Sequence, residues 1–198
     1  MKKETLIIVD FQNDFCNPNG ALYVKGAEEA KTSLINYLET NKDNIDNVIL
    51  TRDWHKLNDT SFINNGGTWP IHCVEGSWGA NIDDTIINAL DNLGINYSLS
   101  NKGTNPKIEE YGAFTYICEG KNNYELKNND DNYINIIPKT INTITICGIA
   151  GDYCVYETAK NLYNSGFFEI KIFKDGIASI DGGKKINNFI VDIIKENC

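Results

Sequence analysis

Two short runs of this chain are apolar at every position, and each leads into polar or charged residues. Leu6-Ile7-Ile8-Val9 stops at Asp10, and Val48-Ile49-Leu50, the centre of an expected strand Asn47–Thr51, stops just before Arg52-Asp53. An amphipathic strand would alternate. A run that is apolar on both faces belongs to a strand covered on both sides, as in a parallel sheet. Three further strands are expected, Ile95–Ser100, Ile141–Cys147, which stops at a glycine turn, and Phe168–Phe173. Between them lie segments of helical period. Ala27–Asn41 carries Ala30, Leu34, Ile35 and Leu38 on one side, Thr85–Leu93 is stopped by Gly94, and Asp152–Asn164 and Lys184–Glu196 follow. Alternating strands and helices predict βαβ units, helices on both sheet faces, and ligands bound beyond the carboxyl ends of the strands.

Two stretches fall outside this alternation. Residues 54–81 are long, aromatic and Gly-containing, a length of loop that usually serves a function. Residues 119–138 are polar and Asn-rich, and are expected to form a surface excursion around turns or a short helix. With 198 residues, no internal repeat and no linker, one domain over 1–198 is expected. The net charge of −9 and the absence of a basic run argue against nucleic acid as a partner. No apolar stretch approaches the roughly 20 residues of a membrane span, and the N-terminus lacks a signal-peptide pattern. A cytoplasmic protein acting on a small molecule is expected, with homo-oligomers left open. Of the six cysteines, no pair has C-x-x-C spacing, and five are read as buried structural thiols.

The polar residues at the strand ends carry the chemistry. Cys154 falls in the first turn of a helix after the turn Gly148–Gly151. Helix amides and a nearby cation favour a thiolate, and lowering a thiol pKa by two units takes about 2.7 kcal/mol. By itself, Cys154 reads more readily as a packed helix cysteine. Asp10 and Lys102 end two other strands and are suited to supply a base and a cation, or else to form a structural pair beside an unrelated thiol. Asp53 and His55 are two apart, so in extended backbone they point the same way, and His72 lies across the loop. One carboxylate and two imidazoles suit Zn²⁺, Fe²⁺ or Mn²⁺; the alternative is two ordinary loop histidines. The three tryptophans, Trp54, Trp69 and Trp78, also lie in this loop, with Phe15 near the first strand end. They either line a cleft for a flat ring or anchor the loop.

Taken in order, Val9-Asp10-Phe11-Gln12-Asn13-Asp14-Phe15, Thr51-Arg52-Asp53-Trp54-His55, Trp69-Pro70-Ile71-His72-Cys73-Val74, Lys102-Gly103 and Gly148-Ile149-Ala150-Gly151-Asp152-Tyr153-Cys154-Val155 resemble the isochorismatase-like cysteine hydrolases, in their nicotinamidase branch. The resemblance runs from Leu6 to about Ser179. It implies a three-layer α/β sandwich with a six-stranded, mainly parallel sheet. It implies a catalytic Asp10–Lys102–Cys154 triad, a cis peptide between Ile149 and Ala150, and an oxyanion hole from the amides of Ala150 and Cys154. It implies a metal, zinc first, on Asp53, His55 and His72. It places Phe15, Trp69 and Tyr111 around a nicotinamide ring. The implied reaction is hydrolysis of nicotinamide to nicotinate and ammonia through a Cys154 thioester. Another small amide or ureido substrate, or a non-catalytic binding domain on the same fold, is the alternative. The chain departs from the pattern at Asp59, where many relatives have histidine, and at Asn64, where some have a glutamate ligand. Ser61 is left to act through water.

Overall fold

The computed structural model describes residues 3–129, 134–141, 143–166 and 169–196. Its centre is a sheet of five strands in the order β3-β2-β1-β7-β8, all parallel. These are β1 (Glu4–Val9), β2 (Ile45–Asp53), β3 (Tyr97–Lys102), β7 (Thr143–Ile149) and β8 (Glu169–Ala178). All five expected strands are present. The fourth is shifted two residues along the chain, and the fifth runs on to Ala178; Phe168 itself lies outside the described residues.

The β1 side chains divide by parity. Leu6 and Ile8 enter one apolar cluster and Ile7 and Val9 the other, and all four are fully buried. Each such side chain contributes about 1.5–3 kcal/mol when removed from water. Helices α2 (Ala27–Asn41) and α3 (Asp84–Leu93) cover the first face through Ala30, Leu34, Leu38, Ile86 and Leu90. Asp83 caps α3 by accepting from the Thr85 amide at 2.9 Å, and Gly94 ends it in the left-handed conformation. Helices α4 (Cys154–Asn164) and α5 (Lys184–Glu196) cover the other face, through residues such as Val155, Ala159, Leu162 and Ile186. A short helix, α1 (Asn13–Cys16), follows β1.

Two expectations are corrected. The parallel sheet has five strands among the described residues rather than six. The excursion after residue 115 is a second sheet, antiparallel, of β4 (Tyr116–Glu119), β5 (Asn123–Lys127) and β6 (Ile134–Pro138). Its strands are only four or five residues long and are set among Asn and charged residues, too short for a period to be read, and Leu126 and Ile137 are fully buried against the α4 face. Of the cysteines, 16, 73, 147 and 154 are buried and free, while Cys118 on β4 is exposed, against the expectation for it; Cys198 lies outside the described residues. No helix among the described residues is long and apolar enough to cross a membrane.

Candidate active site

The carboxyl ends of β1, β2 and β3 and the start of α4 meet on one side of the sheet. The β1–β2 and β2–β3 registers set Val9 beside Thr51 and Asp53 beside Lys102. Asp10, the next residue after β1, has a φ of 48°, in the left-handed region. Its amide donates to the Thr51 carbonyl at 3.1 Å, and its carboxylate accepts from the Thr51 hydroxyl at 2.7 Å. Lys102 is fully buried. Its Nζ pairs with Asp10 at 2.8 Å and with Asp53 in a very short contact, and donates toward Cys154 Sγ at 3.6 Å and the Glu110 carbonyl at 3.4 Å. The Asp10, Asp53 and Cys154 ligand atoms lie within 4.8 Å of one another.

Burial dominates the electrostatics of this cluster. It would lower Lys102, but Asp10, Asp53 and Cys154 outweigh it and hold the ammonium charged. Burial raises Asp53, yet Lys102, His55 and His72 together carry it well below the usual carboxylate range. Asp10 has only Lys102 as cation, and burial with the nearby Asp53 leaves it raised. Burial also pushes Cys154 well above an ordinary thiol, with Lys102 only partly opposing and Asp10 adding to the rise. Desolvation and two carboxylates together outweigh the opposing pull of one lysine, so the shift at Cys154 is upward.

Cys154 is the first residue of α4, where amides have no carbonyl one turn earlier to bond. The Ile149–Ala150 peptide is cis, and Ala150 lines the same pocket as Cys154. The helix starts two residues later than expected. The Asp152 carboxylate accepts from the amides of Ile180 at 2.9 Å and Asp181 at 3.2 Å. That contact brings Ile180 to the pocket wall.

Asp53, His55 and His72 form the other end of the pocket, all buried, with ligand atoms within 4.8 Å of one another. The Pro70 carbonyl can only accept, so His72 Nδ1, 2.8 Å away, carries the proton and Nε2 is left for a ligand. His55 Nδ1 lies 3.0 Å from the Asp59 carboxylate, and its Nε2 lies 3.6 Å from Asp53. Burial lowers His72, whereas for His55 the carboxylates Asp53 and Asp59 overcome burial and raise it to about 9. One ionised carboxylate and two imidazoles with inward-facing Nε2 atoms fit a divalent metal. Asn64 is exposed on a 3₁₀ turn (Ile63–Asn65). The Ser61 hydroxyl is buried without a hydrogen-bond partner among the described residues.

Phe15, Trp69 and Tyr111 all line the pocket, as do Tyr153 and Glu109. The Trp69 indole donates to the Tyr111 hydroxyl at 3.0 Å and stands edge-on to Tyr153, 5.1 Å between centroids. The other two tryptophans do not line the pocket: Trp54 lies under the Arg52 guanidinium at 3.9 Å, and Trp78 is half exposed. Several contributors were not legible in advance. Asp14 accepts from the Cys73 amide at 2.7 Å and the Ala21 amide at 3.0 Å, tying the His72 loop to α1. The Gln12 side chain brackets Asp53, donating to its carbonyl and accepting from its amide, both at 2.8 Å. Glu110 accepts from Gly103, Thr115 and Asn129, fastening the segment that carries Tyr111. Gly103, with φ +66°, packs against the His55 ring where a side chain would not fit.

Residues 4–95 match the model of the isochorismatase domain family. The chain is 31% identical to a nicotinamidase of Acinetobacter baylyi, over 89% of this chain and 81% of that one. It belongs to the isochorismatase-like hydrolases, in their nicotinamidase branch. Among solved structures it is similar to the pyrazinamidase of Pyrococcus horikoshii in complex with zinc, with 25% identity, a TM-score of 0.69, and coverage of 96% of this chain and 95% of that one. It is also similar to a protein of L. infantum in complex with nicotinate, with 27% identity, a TM-score of 0.70, and coverage of 98% and 89%.

Proposed function

We propose that residues 1–198 form one hydrolase unit that converts nicotinamide to nicotinate and ammonia through a thioester on Cys154. The observation that carries this reading is the position of Lys102, whose Nζ touches Asp10, Asp53 and Cys154 and so joins a nucleophile, a base and a metal-ligand triplet in one pocket. The relatives' named activities and the nicotinate and zinc in the similar structures support the substrate and the metal.

Asp10 takes the Cys154 proton as sulfur forms its bond to the carboxamide carbon. The electron pair of the C=O moves onto oxygen, where the amides of Ala150 and Cys154 donate to it. As the carbonyl re-forms, the C–N bond breaks and Asp10 returns its proton to the leaving nitrogen, giving ammonia. Asp10 then takes a proton from water, whose oxygen adds to the thioester carbon. The C–S bond breaks and the sulfur regains the proton. Lys102 stays charged throughout and stabilises each state in which Asp10 or Cys154 is anionic. Asp53, His55 and His72 would hold a divalent ion, zinc first with iron or manganese as alternatives, which supplies a Lewis-acid contact for the pyridine nitrogen. Phe15, Trp69 and Tyr111 enclose the ring.

The test is ammonia release from nicotinamide against benzamide and a ureido compound, with the zinc-loaded and chelator-treated protein. Turnover of nicotinamide, much reduced for benzamide, which lacks the ring nitrogen, is expected. Preference for the ureido compound would assign another substrate class, and release from none would remove the enzymatic reading.

A further inference from the structure

The departure at residue 59 has a physical role in this chain. Asp59 is 1% exposed, and its Oδ2 lies 3.0 Å from Nδ1 of His55, itself buried. Its other oxygen accepts from the Ser61 amide at 2.8 Å. Its backbone is also held, by Lys56 at 3.0 Å and by the Asn65 side chain at 2.8 Å. The carboxylate is thus fixed by its own loop. Asp59 approaches the imidazole from the Nδ1 side, whereas Nε2 faces Asp53. A group bonded to Nδ1 cannot reach an ion held on Nε2 of the same ring, which rules Asp59 out as a fourth ligand. The ring itself has little freedom. Gly103 packs against its edge, Phe62 stands edge-on at 5.4 Å, and the His55 amide and carbonyl are bound to Cys73 and Glu75.

We infer that Asp59 is a positioning residue: it accepts the Nδ1 proton of His55 and thereby aims Nε2, whose own proton leaves as the ion binds, at the metal shared with Asp53 and His72. The inference rests on the metal-site reading proposed above. A carboxylate behind a metal-bound histidine fixes the tautomer and makes the ligand more basic. Asp59 does so from a sequence position four residues beyond the histidine, in a loop rather than a helix.

The experiment measures zinc affinity of the full chain by competition with a chromogenic chelator. It compares the unaltered protein, Asp59→Asn, Asp59→Ala and His55→Ala, together with each Asp59 variant combined with His55→Ala. Thermal unfolding in chelator checks that each variant folds. Asp59→Ala is expected to weaken zinc by about 10–100-fold. Asp59→Asn, which keeps an acceptor without the charge, should lose distinctly less. In the His55→Ala background both Asp59 substitutions should change affinity by less than about two-fold, because the residue acts through the histidine. Equal losses in both backgrounds would make Asp59 a loop scaffold and overturn the inference, as would no loss in either. Should Asp59→Ala not fold, the comparison across backgrounds is made with Asp59→Asn. Zinc binding that is strong and unchanged by His55→Ala would instead refute the metal-site reading, and the inference with it.

Discussion

The two ends of the pocket are built differently. Asp10, Lys102 and Cys154 sit at the ends of β1 and β3 and at the first residue of α4, so the parallel sheet and one helix place them. His72, Trp69 and Tyr111 stand on loops, and each loop needs a further group to hold it. Asp14 ties down the segment after His72, the Trp69–Tyr111 hydrogen bond joins two loops, and Glu110 secures the segment carrying Tyr111. Asp53 belongs to both ends, since it touches Lys102 and faces His55. On the proposed reading, the sheet end holds the reacting atoms with little freedom, while the loop end meets the ring and can be altered without touching Cys154. Changes at the sheet end should remove turnover, and changes at the loop end should show first in binding.

The largest effect is expected from Lys102→Met. Two buried carboxylates lose their shared cation, so unfolding in urea should show a loss of about 3–5 kcal/mol, and the folded fraction should not turn over nicotinamide. A variant that is stable and active would erase the distinction between the two ends. His72→Ala should come next. Zinc content should fall well below that of the unaltered protein and KM should rise by roughly ten-fold or more, while alkylation of Cys154 by iodoacetamide proceeds. Unchanged metal content would remove His72 from the ligand set. The smallest effect is in the pH profile. Asp10 must be ionised to take the thiol proton, so activity is present above its pKa and lost as pH falls through it. Burial raises Asp10, which puts the acid limb of kcat/KM above the value of about 3.9 for an ordinary aspartate. A profile that stays flat below that value would exclude Asp10 as the base.

The same division decides what can be read from the amino-acid sequence. A strand covered on both faces tends to be apolar, so β1 and the centre of β2 announce themselves and the polar residues that follow them stand out, whereas β7 is buried throughout and still carries Thr143 and Thr145. The loop end has no such signature. Asp14, Asp59 and Glu110 are carboxylates in polar surroundings, and only the folded chain shows that each is buried and bonded to backbone amides or to a histidine. The β4–β6 sheet is hidden for a related reason, since Asn and charged residues mask the alternation around Leu126 and Ile137.

The central claim is that an acyl group passes through Cys154, and partitioning by hydroxylamine tests it most directly. Nicotinamide and methyl nicotinate are each turned over in the presence of hydroxylamine, and the ratio of nicotinohydroxamate to nicotinate is measured for the unaltered protein and for Cys154→Ala. A shared thioester predicts the same ratio from both substrates, and neither product above background in the variant. Ratios that differ between the two substrates, or products formed at a similar rate by Cys154→Ala, would contradict the account.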